Sequence, residues 1–156
     1  MNFRSGLPMA LAVLLLAWPA PATAQGGSMR RGIELALRTG RDFDDDAWMA
    51  GGGLRIPLPG RWEFRPSGDV LLKDGSPWQA NLDVAVTGVR GAGYIGVGYA
   101  RVHRVFEGDV ESDSDGVNAF LGFSTVVPAT IRPFLEARFT RAGGETLFRL
   151  VLGFNI

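Results

Sequence analysis

The chain contains no cysteine and a single histidine, and no apolar run approaches the ~18 residues of a spanning helix. Each shortage closes off a class of protein. Without cysteine there is no disulfide scaffold, thiolate metal site or cysteine nucleophile, and one histidine leaves little for imidazole chemistry. Charge is not in excess either: 16 basic side chains meet 16 acidic ones, where a general nucleic-acid binder carries a basic surplus. A length of 156 residues allows one domain at most. What is plentiful is glycine, at 22 residues, about double its usual share of ~7%.

The first segment reads as an address. Arg4 precedes the apolar stretch Met9 to Trp18, then come Pro19, Pro21 and Ala22-Thr23-Ala24. These are the three parts of a secretory signal, with cleavage expected after Ala24. The stretch is too short for an anchor, since ten residues at ~1.5 Å rise cover about 15 Å of a ~30 Å hydrocarbon core. Residues 1–24 are therefore assigned to a signal peptide and 25–156 to the folded domain.

After residue 29 the dominant pattern is period-two alternation. Ile33, Leu35 and Leu37 alternate with Glu34, Ala36 and Arg38, and the polar run Thr39 to Asp46 breaks the chain. Further alternating segments follow at Trp48–Arg55, Trp62–Val70, Trp78–Val86, Tyr94–Val102, Val117–Val126, Ile131–Thr140 and Phe148–Ile156. Most have the 9 to 11 residues that a tilted membrane strand needs. An even number of strands lets a sheet close and lose its edges. The odd-numbered connections are generally longer and more polar, the longest being His103 to Gly116, and the even-numbered ones are tight. Short turns on one side and longer loops on the other are what a barrel with both termini in the periplasm shows.

Charges and rings bear on which face meets which solvent. The polar face of the strands carries Glu34, Arg38, Arg55, Glu63, Arg65, Asp69, Asp83, Arg132, Glu136, Arg138 and Arg149, expected as a mutually paired network filling a narrow lumen. Trp48, Trp62, Trp78, Tyr94, Phe139, Phe148 and Phe154 stand at segment ends, where interfacial aromatic girdles lie. Pro66 lacks a ladder N–H, so a bulge is expected near Pro66-Ser67-Gly68. Arg101 shares its phase with Ile95, Val97 and Tyr99: either it snorkels at the rim or the phase shifts within Gly96 to Gly98. The competing architecture is a soluble lipocalin-like periplasmic carrier, with the apolar face turned inward around a small apolar ligand.

Gly93-Tyr94-Ile95-Gly96-Val97-Gly98-Tyr99, Arg132-Pro133-Phe134-Leu135-Glu136 and the closing Phe148 to Ile156 give the whole mature chain its likeness. It resembles the small outer-membrane β-barrel proteins of the OmpA/OmpX/opacity type. The resemblance implies an all-β fold, a closed eight-stranded antiparallel up-and-down transmembrane barrel in a Gram-negative outer membrane. The final segment resembles the signal read by the barrel-assembly machinery, with Phe154 and Ile156 as its carriers; it ends in Ile156 where the family has an aromatic.

Chemistry-bearing clusters are few. Glu111, Asp113, Asp115 and Gly116 look like the start of a calcium loop, but the twelfth position falls on Gly122 and the EF-hand pattern fails. Asp42, Asp44, Asp45 and Asp46 form a second acidic group that reads as a solvated loop; divalent ions bridging these two loops to lipopolysaccharide phosphates are the alternative. His103 with Ser112 or Ser114 shares one loop, without the rigid supports of a triad. Gly51-Gly52-Gly53 lacks the Lys-Ser/Thr of a phosphate loop. The reading is a non-enzymatic, monomeric outer-membrane barrel with a structural or adhesin-like role and neither metal nor cofactor. Its partners are outer-membrane lipid, lipopolysaccharide, the barrel-assembly machinery and a surface ligand at the outside loops, not nucleic acid. A lipid A-modifying enzyme is the third alternative.

Overall fold

The computed structural model describes residues 32–88, 92–106, 110–125 and 131–156. The segment assigned to a signal peptide, the tip of the longest polar loop and the turn at 127–130 lie outside the described residues.

Eight strands make up the fold: β1 (Glu34–Asp42), β2 (Ala47–Pro57), β3 (Trp62–Leu71), β4 (Trp78–Thr87), β5 (Gly93–Phe106), β6 (Val110–Ser124), β7 (Arg132–Ala142) and β8 (Glu145–Asn155). Each pairs antiparallel with its neighbour in sequence, and β1 pairs with β8 to close a barrel. The seam is a continuous ladder that reaches the chain's last residue: Leu35 N–H donates to Ile156 O at 2.9 Å and Ile156 N–H to Leu35 O at 2.8 Å. The β7–β8 connection is the pair Gly143-Gly144, with φ of 59° and 85°, the doubly positive turn that matches strand twist and favours glycine.

The register can be followed right round. From Asn155 the paired residues are Ala36, Gly53, Ser67, Asn81, Ala100, Gly116, Ala142 and finally Glu145, on the strand of departure but ten residues away. Eight strands with a stagger of ten tilt by ~40° and enclose a cylinder of ~8 Å radius at the backbone. That width leaves an interior that side chains can fill.

Two expectations are corrected by this register. No bulge forms at Pro66: Gly53 pairs Ser67 and Ile56 pairs Phe64, so the offset is the same on both sides. The β2–β3 ladder lapses opposite Pro66, which has no N–H to give, while Pro66 keeps its place opposite Leu82 on β4. The long polar loop is also mostly strand. β5 runs on to Phe106 and β6 begins at Val110, so 103–106 and 110–116 form a hairpin rising past the ends of β4 and β7, whose last partners are His103 and Gly116.

We call the end carrying the β1–β2, β3–β4, β5–β6 and β7–β8 turns the far rim, and the opposite end the terminal rim.

Candidate functional site

The alternation places the two faces without ambiguity. Leu35, Leu37, Leu54, Leu82, Val97, Val117, Phe123, Leu135 and Leu152 are exposed on the outside of the wall, while Arg55, Glu63, Arg65, Asp69, Asp83, Glu136, Arg138 and Arg149 are buried inside it. Glu34, Arg38 and Arg132 share the inward phase and are half-buried.

Every inward charge is paired, and all but the Arg132–Glu34 pair join one network. Near the terminal rim Arg132 pairs with Glu34. Above them runs a chain of alternating sign: Glu63 Oε2 accepts from Arg55 Nη2 at 2.8 Å and from Arg65 Nη2 at 2.6 Å, and Arg65 Nη1 lies 3.7 Å from Glu136. Arg138 continues it, with Nη2 2.9 Å from Glu136 Oε1 and Nη1 2.8 Å from Asp83 Oδ2. The Arg138 Nη1 contact is off the hydrogen-bond axis, so its attraction to Asp83 is ionic. Arg38 Nε donates to Asp69 Oδ1 at 2.6 Å.

An uncharged layer carries the network onward. Asn118 Nδ2 donates to Asp83 at 3.0 Å and to Asn81 at 2.8 Å, and Thr140 Oγ1 donates to Asn118 at 2.7 Å. Gln79 Nε2 donates to Asn81 at 2.5 Å and its Oε1 accepts from Arg149 Nη1 at 2.5 Å. Arg149 Nε then reaches Asp42 Oδ2 at 2.6 Å. In low dielectric an unpaired charge costs several kcal/mol, so each group is tolerable only because its neighbour is present.

The structure places three residues that the sequence misplaces or leaves open. Asp42 is not a loop residue: it ends β1, is fully buried, and accepts from the Asp44 and Asp45 backbone N–H groups at 3.0 Å besides pairing with Arg149. Arg101 faces outward with no phase shift, holding Asp113 at 2.9 Å. Adding Asp42 to the eleven strand charges gives six inward arginines (38, 55, 65, 132, 138, 149) against six inward carboxylates (34, 42, 63, 69, 83, 136). Tyr94 is the third: it is no girdle residue but an interior one, 4% exposed, donating to Glu136 at 3.1 Å with the Arg65 guanidinium 3.9 Å over its ring. Its ring fits there because its partner across the ladder is Gly122, where a Cβ would stand 2.4 Å from the ring carbon Cζ.

Of the other proposed girdle residues, Trp48, Trp62, Phe139 and Phe154 are exposed on the outer wall, and Trp78 and Phe148 are half-buried there. Ile156 is exposed beside Phe154 at the terminal rim. Gln79, Asn81, Asn118 and Thr140 complete the network although only their inward phase could have marked them.

Below the far rim the interior closes on apolar side chains, with a cavity of about 110 Å³ above them lined by Val102, Arg104, Ser112, Ser114, Ala142 and Glu145. Ala100, Val102, Ala142 and Leu147 form a buried apolar cluster, with Met49 and Leu71 also buried. Above it Lys73 Nζ donates to Asp45 at 2.8 Å, Arg104 pairs with Glu145, and Val105 packs over Gly75, so all four turns are tied together. The largest space in the network's lower half is about 20 Å³, against the ~10–15 Å³ one water needs. Among the described residues no group of three or more His, Asp or Glu side chains is placed to hold a metal ion. His103 Nδ1 lies 2.8 Å from Asp113 on the outer side of the hairpin, whereas Ser112 and Ser114 alternate to the other side.

The geometry defines a class: a small, closed, inside-polar barrel with an apolar wall. No family model and no curated protein matches the chain. Among solved structures it is similar to the N-terminal β-barrel domain of Pseudomonas aeruginosa OprF, with 18% identity, a TM-score of 0.64, and coverage of 80% of this chain and 96% of that one. The likeness is one of fold: the chain has the architecture of a small OmpA-type barrel.

Proposed function

We propose that this protein is an integral outer-membrane barrel that serves the envelope structurally and presents its far-rim turns to the medium, without turning over a substrate. One observation carries the reading. The middle of the outer wall shows only apolar and small side chains, while the charged strand residues point inward or stand at the far rim, as Arg41, Arg101, Asp113, Asp115 and Arg141 do. Soluble monomers rarely expose apolar patches beyond a few hundred Å², and here the belt is continuous round the barrel. An 11-residue strand such as β2, at ~3.3 Å per residue and ~40° tilt, climbs ~28 Å. That matches the ~25 Å apolar band of outer-membrane barrels.

A periplasmic carrier needs the opposite polarity and an apolar cavity of ~300 Å³ or more; this interior holds twelve charges, and its spaces of about 20 and 110 Å³ fall short of that. In the cell the lumen network would act as a neutral plug, Phe154 and Ile156 would be read by the barrel-assembly machinery, and residues 1–24 would direct export. The test is fractionation: the protein is expected in the outer membrane after an alkaline wash, with a heat-modifiable gel shift when purified in detergent. A chain that stays soluble without detergent and shows no shift overturns the proposal.

A further inference from the structure

One rung of the wall has no backbone donor. In an antiparallel ladder every second opposed pair exchanges both backbone bonds. The β2–β3 ladder bonds Leu58 N–H to Trp62 O at 2.9 Å at one end and Leu72 N–H to Trp48 O at 2.7 Å at the other. Counted in twos from either end along the register, the bonded pairs arrive at Leu54 opposite Pro66. Pro66 has no hydrogen to give, so the Leu54 carbonyl is an acceptor that the neighbouring strand cannot fill, and pairing resumes only at Ile56–Phe64. Among the described residues no side chain donates to it. Outside, its surroundings are apolar: Leu54 pairs with Leu35, and Pro66 with Leu82, all three leucines being exposed. Inside they are not. The space of about 20 Å³ in the lower lumen is lined by Gly53, Leu54, Pro66 and Ser67 of this stretch, together with Arg55 and Asn155.

We infer that this space is a binding site for a single water, which supplies the missing rung by donating to the Leu54 carbonyl from within the lumen. The inference rests on the membrane reading above, because only a lipid-covered wall denies that carbonyl a donor from outside. The size fits, since one water needs ~10–15 Å³, and so do the roughly two to four polar partners that a buried water takes. Arg55 commits Nε and Nη2 to Glu63 at 3.2 and 2.8 Å, which leaves Nη1 to donate to the water oxygen. Ser67 accepts from Asn81 at 3.2 Å and keeps its own hydroxyl proton to give. Asn155 Oδ1, buried and without a partner among the described residues, is a second acceptor on the same space. The wall is thus completed from its polar side at the one place where its own backbone cannot close it.

The test is NMR of the mature chain in phosphatidylcholine nanodiscs. Overhauser peaks are expected between water and the backbone protons of Leu54, Arg55 and Arg65, with the rotating-frame sign that separates a bound water from proton exchange. In Pro66→Ala, checked for its gel shift, the new N–H takes the rung: the water peaks are lost and the amide at position 66 is protected from exchange. Absence of the water peaks in the parent, their survival in Pro66→Ala, or an unprotected amide at position 66 overturns the site while leaving the barrel in the membrane. A water-soluble gadolinium chelate that broadens the methyl signals of Leu37, Leu82 and Leu135 as strongly as those of the far-rim turns overturns the membrane reading itself, and the inference with it.

Discussion

Arg138 is the residue on which most of the interior depends. It is 2% exposed and stands between Glu136 at 2.9 Å and Asp83 at 2.8 Å, both almost fully buried. Arg138→Met would fill the volume but strand two carboxylates, and breaking one side of a buried pair costs ~3–5 kcal/mol. A urea titration followed by the gel shift should show the midpoint falling accordingly. Tyr94→Phe removes one donor to Glu136; a hydrogen bond to a charged group contributes ~1.5–3 kcal/mol, so a smaller drop is expected in the same assay. On the hairpin beyond the end of β7, hydrogen bonds from Arg101 and His103 hold the Asp113 carboxyl below its ordinary range. A depressed folded-state value means the contribution is full above the ordinary carboxylate value of ~3.9 and is lost as pH falls through the lowered one. Amide exchange in the hairpin should therefore be flat from neutral pH down to the carboxylate range, after correction for its intrinsic pH dependence, and accelerate only below it.

At the scale of elements, the seam between β1 and β8 leaves no room for an added side chain. At Gly40 a Cβ would lie 2.3 Å from the Leu150 backbone oxygen, an atom that cannot swing aside. Gly40→Val should force the closing strands apart and lower stability by ~1–3 kcal/mol, the usual penalty of overpacking, read in the same urea assay. The strands themselves were legible in the sequence because one face of each is apolar, and alternation then reports both element and facing. The upper β5–β6 hairpin was not. There both faces carry polar residues, with His103, Ser112, Asp113 and Ser114 in succession on either strand, so no apolar period marks it and it reads as a loop. Asp42 was lost for the same reason, being the last strand residue before a run of aspartates. Tyr94 was misplaced because it stands at a strand end beside Gly93 and Gly96, which carry no side chain to fix the phase. The eleven strand charges, nearly all flanked by apolar neighbours, had no such ambiguity.

For the whole molecule, the paired charges and the apolar cluster below the far rim fill the interior among the described residues, leaving spaces of about 20 and 110 Å³. Planar-bilayer recordings should show no steady current, in contrast to barrels with far more strands, whose interiors are wider than their side chains. The seam has one more consequence. Leu35 and Ile156 exchange two backbone hydrogen bonds, and β1 meets β8 in the same register geometry as every other pair, with Asp42 and Arg149 joined across it. The ring has no intrinsic first strand. A circular permutant that joins Ile156 to Gly32 by a short linker and opens the chain between Gly143 and Gly144 would keep every ladder and every interior pair. Its gel shift and urea midpoint should stay close to the parent's, since the order of strands round the ring, rather than the position of the ends, carries the information.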